Sequence, residues 1–128
     1  MKSTFFLLIV FLLGAGSAFG QGSKKGGPCT NANTQAEMNI CAGKEYKTAD
    51  AALNQTYQQL VAKLEAEEKA ELKEAQTAWI KYRDTNCEFV ADQYKGGSIR
   101  PMILGLCLAD VTRNRTAELR TQTKDRSN

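Results

Sequence analysis

Histidine is absent from the 128 residues of this chain. Because histidine is the commonest general base and the commonest metal ligand in proteins, its absence excludes the usual catalytic triads and every histidine-containing metal site. Ser23, Ser98 and Ser127 therefore lack the partner that would activate a serine nucleophile. No pattern places two carboxylates across a cleft, as glycoside hydrolysis requires. We therefore expect a protein that is not an enzyme and that binds no metal and no cofactor.

An excess of charge of one sign is also absent. Lysine and arginine number 17, aspartate and glutamate number 14, and the two signs are interleaved along the chain. A nucleic-acid-binding surface requires basic residues gathered in a patch. The sequence therefore does not predict a nucleic-acid partner.

Long hydrophobic runs are absent except at the N-terminus. Residues 1–20, MKSTFFLLIVFLLGAGSAFG, contain one lysine, an apolar run from Phe5 to Leu13 and then small residues. This is the pattern of a signal peptide rather than of a membrane span. We expect cleavage before Gln21 and an exported, soluble product, periplasmic or secreted. No cysteine follows Gly20 directly, so a lipid anchor is not predicted.

Three helices are predicted after residue 33. Residues 21–33 are rich in Gly, Lys and Asn and should form a flexible lead-in, and Thr34 with Glu37 forms a capping box that starts the first helix. Glutamates at 67 and 68 interrupt the apolar stripe of this helix, which predicts a turn near residues 65–68. The apolar residues of this first stripe are Tyr46, Ala49, Leu53, Tyr57, Leu60 and Leu64.

A second stripe runs from Leu72 to Val90. The third helix should span about Ile99 to Arg120, with Ser98 as its N-cap and Pro101 in its first turn. Residues 121–128 are expected to be a frayed tail. The predicted fold class is all-α, a small antiparallel three-helix bundle over residues 34–120, braced by two disulfides. The second stripe consists of Leu72, Ala75, Trp79, Tyr82, Asn86 and Val90.

The stretch AQTAWIKYRDTNC, residues 75–87, is chemically the densest part of the chain. Folding the first two helices about residue 66 sets Asp50 level with Arg83 at the margins of the stripes, which predicts an interhelix salt bridge. Trp79 is set level with Leu53 in the same way. We therefore interpret Trp79, Tyr82 and Arg83 as core residues rather than as a ligand-stacking site.

Four cysteines lie beyond the N-terminal segment, at Cys29, Cys41, Cys87 and Cys107. An even number in a short exported chain predicts two disulfides, and the spacings contain no C-x2-C element of a zinc site. In each of the pairs Cys29–Cys41 and Cys87–Cys107, the two cysteines should lie at similar heights on neighbouring segments, which favours these two bridges. The crossed pairings remain open alternatives.

Much of the chain resembles the N-terminal domain family of the LprI-type lysozyme inhibitors, a group of small exported bacterial proteins. The motifs that carry this resemblance are T-x-x-E-M-N-x-C at 34–41, A-D-x-x-L-N-x-x-Y at 49–57, A-Q-x-x-W-x-x-Y-R-D-x-x-C at 75–87 and T-x-x-R-x-x-E-L at 112–119. The namesake is a surface lipoprotein that inhibits lysozyme. This chain lacks the lipidation cysteine of the namesake.

The resemblance implies a protein that inhibits lysozyme by covering its substrate cleft. Because lysozymes are strongly cationic, we expect contacts from projecting acidic residues and from a loop at the end of the bundle. A solvated helix end is the simpler interpretation of the acidic run. The alternative function is an envelope interaction module that binds another bacterial protein or a toxin without inhibiting lysozyme. The expected contact residues are Glu65, Glu67, Glu68, Glu71, Gly96, Gly97 and Ser98.

Overall fold

The fold is seen in a computed structural model that describes residues 29–127. It contains α1 (Gln35–Val61), α2 (Ala66–Ala91) and α3 (Arg100–Asp125), and a short 3-10 turn, Asp92–Tyr94, follows α2. The predicted all-α bundle with two disulfides is confirmed. The predicted signal peptide, residues 1–20, and the lead-in up to residue 28 lie outside the described residues.

The capping box at Thr34 starts α1 as the sequence predicts. The backbone N–H of Glu37 donates to Thr34 Oγ1 at 3.2 Å, and Glu37 Oε2 accepts from the N–H groups of Asn33 and Thr34 at 2.7 and 3.1 Å. The bond from Asn33, and then that from Thr34, holds the pKa of the Glu37 carboxyl below its usual value. The helix start is therefore tied to the preceding turn by a charged acceptor.

The reversal between α1 and α2 comes earlier than predicted. It occupies residues 62–65 rather than 65–68, and Leu64 within it is only 6% exposed. The last apolar residue of the first stripe, Leu64, therefore lies within the turn and not in α1. The turn is consequently closer to the N-terminus than the stripe predicts. Glu65 caps α2, and its N–H donates to Glu68 Oε2 at 3.1 Å. Glu67, Glu68 and Glu71 are consequently helical residues and not part of a loop.

The start of α3 also differs from the prediction. Ile99 is the N-cap and makes no side-chain cap hydrogen bond, whereas the carbonyl of Ser98 accepts from the Asn39 side chain at 3.0 Å. Ser98 is therefore a tether to α1 and not the predicted cap. Arg100 fixes this corner by pairing with Asp92 at 2.8 Å and with Glu88.

The third helix continues to Asp125, five residues past its predicted end at Arg120. Leu119 is fully buried, so the last turns of α3 remain docked on the bundle. Beyond the helix, Lys63 Nζ donates to Ser127 Oγ at 2.7 Å. Residues 121–125 are therefore helical, and the expectation that the whole segment 121–128 is frayed is wrong.

The helices run up, down and up, with α1 and α3 parallel and in closest contact. Asn39 lies near the start of α3, and Lys63 near its end. A Cβ placed on Gly105 would lie 2.9 Å from the Ala42 carbonyl carbon, so the two backbones almost touch. The apolar stripes of the sequence do not predict this contact, because they are formed by large side chains. The small buried residues on the facing surfaces of α1 and α3 are Ala42, Ala49, Gly105 and Ala109.

The second helix packs over this pair through larger side chains. Tyr57, Val61 and Trp79 surround a cluster of buried leucines. Leucines of this kind contribute about 1.5–3 kcal/mol each when buried, which makes this cluster the main hydrophobic contribution at this end of the bundle. The leucines are Leu53, Leu60, Leu64, Leu72 and Leu119.

Both disulfides tie chain segments to this arrangement. Cys29 is bonded to Cys41 and Cys87 to Cys107, with a Cα–Cα distance of 5.6 Å in each. These are the two pairs that helix register favours. The first holds residues 29–33 against α1, and the second joins the end of α2 to the start of α3.

Two glycine substitutions test the close approach of α1 and α3. Gly105→Ala should lower the free energy of unfolding by about 1–3 kcal/mol, because the added methyl overpacks against Ala42. Gly43→Ala is the control: its Cβ would meet no atom within 4 Å, and it should raise stability by up to about 1 kcal/mol. Urea unfolding measures both, and a Gly105→Ala variant as stable as the parent would contradict this packing.

Candidate functional site

Arg83 is a buried cation stacked between two aromatic rings. Its guanidinium carbon lies 5.3 Å from the centre of the Tyr46 ring and 5.2 Å from that of Trp79, and the residue is 6% exposed. Arg83 Nε donates to Asp84 Oδ1 at 2.8 Å, and Nη1 lies 3.5 Å from Asp50 Oδ1. The salt bridge to Asp50 that the sequence predicts is present, although Asp84 is the closer partner.

The charge of Arg83 is retained despite its burial. Burial is the largest influence and by itself lowers the pKa, but the hydrogen bond to Asp84 and the charges around the site outweigh it and raise the pKa above its ordinary value. Arginine suits this position because its planar group can stack on both rings while it donates hydrogen bonds at its edge. The cluster is therefore a satisfied structural element that joins α1 to α2.

The same cluster extends to α3 through a second arginine. Arg115 lies 5.9 Å from the centre of the Trp79 ring, and its Nε donates to Gln76 Oε1 at 3.1 Å. Its Nη1 pairs with Glu118 at 2.8 Å. Trp79 is thus placed between two cations, and the structural interpretation of AQTAWIKYRDTNC fits Gln76, Trp79 and Arg83.

Tyr82 does not fit the interpretation of this stretch as part of the core. It is 59% exposed, so its assignment to the core stripe is wrong. A residue next to Arg83 is rotated by about 100° around the helix, and α2 turns its Arg83 side inward. The second apolar stripe, as read from the sequence, is centred between the directions of Tyr82 and Arg83, because it includes both Trp79 and Tyr82. The buried residues of α2 are Leu72, Gln76, Arg83, Cys87 and Ala91.

The side of α2 opposite these residues forms one continuous exposed surface, here called the outer face of α2. Its members recur at steps of three and four over about 33 Å of helix. The half near the 62–65 reversal is acidic, and the half near the end of α2 is aromatic. The residues of the outer face are Glu67, Glu71, Glu74, Ala78, Tyr82, Thr85 and Phe89.

The aromatic half of the outer face contains an open groove of about 580 Å³. Tyr82 and Phe89 are 59% and 74% exposed, and both line it. A neighbouring hollow of about 530 Å³ shares Ala78 and Lys81 with the groove, so the two are continuous along the helix. The lining residues of the groove are Ala78, Lys81, Tyr82, Thr85, Asn86 and Phe89.

The acidic residues predicted from sequence divide into two groups. Glu65 and Glu68 form the capping box of α2, and Glu68 also lies 3.7 Å from Arg126. Glu67 and Glu71 are exposed on the outer face of α2. Only this second pair combines an acidic charge with a position on a continuous exposed surface.

The predicted loop Gly96-Gly97-Ser98 lies at the other end of the bundle. Gly96 has a φ of 82°, a conformation that favours glycine, and the N–H of Gly97 donates to the Tyr94 carbonyl at 2.9 Å. The 26 residues of α2 separate this loop from Glu65 by about 39 Å. The structure therefore does not bring the loop and the acidic residues into one small site.

Sequence reasoning missed Phe89 as a surface residue. The helical spacing in the sequence indicates this position, since Phe89 follows Tyr82 by two helical turns and Ala78 precedes Tyr82 by one.

Within residues 29–127, no group of three acidic or cysteine side chains is arranged to hold a metal ion. None of the helices in this range is long and apolar enough to cross a membrane.

Comparisons with known proteins agree with the motifs read from the sequence. The family model described as Lysozyme inhibitor LprI matches residues 28–119, which include both disulfides and most of the three helices. A protein of Rhizobium meliloti (strain 1021), named Uncharacterized protein R02472, is 44% identical over 105 residues, covering 72% of this chain and 76% of the relative. No solved structure matches the chain.

The division of α2 into a buried side and an outer face can be tested by two truncations. Trp79→Ala should lower the free energy of unfolding by about 2–4 kcal/mol, because it empties the stack between Arg83 and Arg115. Tyr82→Ala should change it by less than about 0.5 kcal/mol, because that ring lies on the surface. Denaturant unfolding monitored by circular dichroism compares them, and equal losses would place Tyr82 in the core.

Proposed function

This chain belongs to the family of the lysozyme inhibitor LprI, and from that premise we propose that it is an exported protein that inhibits lysozyme. The observation that carries the proposal is the extent of the match, which covers the bundle from residue 28 to residue 119. The two disulfides suit a protein that acts outside the cytoplasm, where lysozyme meets its cell-wall substrate.

Inhibition would be steric, with the bundle covering the substrate cleft of lysozyme. The hollows on the outer face of α2 are open to solvent, which suits contact with a protein better than enclosure of a small substrate. Two disulfides and the Arg83 stack hold the helices before any partner arrives. A rigid surface loses little conformational entropy on binding, so more of the contact energy is available as affinity.

The acidic half of the outer face supports a cationic partner. Glu67, Glu71 and Glu74 lie on one side of α2, and Lys69 is rotated away from it by more than about 100°. Lys73 borders the hollow beside Glu74 and offsets part of this acidic charge. Lysozymes are strongly cationic, so this arrangement would speed their association even though the net charge of the chain is only +3.

The direct test is lysis of bacterial cell walls by egg-white lysozyme in the presence of the purified mature protein. We expect loss of lytic activity that saturates as the inhibitor is added, with weaker inhibition as salt is raised, because exposed charges are screened. Undiminished lysis at a large molar excess would contradict the proposal. Binding without loss of lysis would instead favour an envelope interaction module.

The contribution of the acidic half can be separated from net charge. Glu67→Gln with Glu71→Gln should weaken inhibition about 3- to 10-fold at low salt and less at high salt, since each exposed charge contributes about 0.2–1 kcal/mol. Gln55→Lys with Gln59→Lys is the matched control, because it changes the net charge equally and at the same spacing on the exposed side of α1. The control should inhibit like the parent, and equal effects of the two pairs would remove the outer face from the contact.

A further inference from the structure

The aromatic half of the outer face is a feature of the bundle that its packing does not explain. Tyr82 and Phe89 are exposed although both are large apolar residues. They are seven positions apart, about 10 Å along α2, and the small side chains of Ala78 and Thr85 leave the groove between them. Burying such rings against a partner would release about 25 cal/mol for each Å² of apolar surface removed from water.

The fold fixes the position of these rings, although the rings themselves are exposed and are not part of its core. Arg83, next to Tyr82, is clamped between Tyr46 and Trp79. Cys87, two residues before Phe89, is fully buried and bonded to Cys107. Each exposed ring therefore projects from a rigidly held point of α2, which is the arrangement expected of a preformed docking site.

We propose that the groove between Tyr82 and Phe89 is the apolar anchor point for a cationic protein partner, which inserts an apolar side chain there while its basic surface lies along Glu67, Glu71 and Glu74. This proposal rests on the proposed function, and it identifies the occupant as lysozyme. An aromatic centre with a charged margin is the usual distribution of binding energy in a protein interface. The acidic half steers the partner, and the aromatic half holds it.

Charge argues for a basic partner rather than for a second copy of this chain. If two copies packed through their outer faces with the α2 helices parallel, the glutamates of the two faces would lie against each other. In an antiparallel pair they would be directed toward the end of α2, where Glu88 and Asp92 are already paired with Arg100. Like charges therefore oppose the parallel arrangement, and sedimentation equilibrium tests the antiparallel one. A basic surface would be attracted to Glu67, Glu71 and Glu74, although Lys81 at the edge of the groove opposes it locally.

The test compares the double variant Tyr82→Ala with Phe89→Ala against the parent protein. The dissociation constant for egg-white lysozyme is measured by titration calorimetry, and lysis is measured in parallel. We expect the double variant to bind about 10-fold or more weakly, because aromatic residues at the centre of an interface dominate its affinity. Ile40→Ala is the matched control: it removes an apolar side chain that is 61% exposed on α1, and it should bind like the parent.

The outcomes separate this proposal from the proposed function. If the parent inhibits lysozyme and the folded double variant binds equally well, the groove is not the anchor but the inhibitory function stands. If the parent binds lysozyme through the groove without reducing lysis, the anchor stands and the inhibitory function fails. If the parent does not bind lysozyme, both fail. A dimer in sedimentation equilibrium that the double variant dissociates would also overturn the groove assignment, because its occupant would be a second copy.

Discussion

The near contact of the α1 and α3 backbones at Ala42 and Gly105 determines how the rest of the bundle is arranged. Small residues near this point let the two helices form one tight layer, and Leu53, Leu60 and Leu119 are buried farther along the same helices. The second helix packs against that layer through Leu72 and Trp79. One whole side of α2 is consequently left in solvent, and this side is the outer face that we assign to binding.

Attachment of α2 to that layer depends on polar as well as apolar contacts. Arg83 reaches α1 through Tyr46 and Asp50, Arg115 reaches back from α3 to Trp79, and a disulfide joins Cys87 to α3. A buried guanidinium needs both its charge and its hydrogen-bonding edge satisfied, and the observed rotation of α2 achieves this. The inward position of Arg83 therefore requires Tyr82 to project outward. In this way the residues that stabilise the fold also orient the residues proposed to bind.

Sequence reasoning predicts the fold more completely than the site. Capping at Thr34 is a local signal, whereas the two disulfides and the Asp50–Arg83 pair follow from helix register, and each is found in the structure. The close contact of α1 with α3 is not predicted, because small residues such as Gly105 leave no apolar stripe. Tyr82 lies outside the core because the buried side of α2 is centred nearer to Arg83 than the apolar stripe of the sequence indicates. The boundary of an exposed face is set by these tertiary contacts, and helical periodicity alone does not locate it.

The central claim is that the outer face of α2 is the surface that meets lysozyme. Backbone amide spectra of isotope-labelled protein, recorded by nuclear magnetic resonance while unlabelled egg-white lysozyme is added, locate the contact without any substitution. We predict that the largest shifts fall within residues 67–89 of α2, centred on Tyr82 and Phe89, and that the amides of Gly96 and Gly97 change little. Shifts confined to the 96–98 loop or to the exposed side of α1 would contradict it.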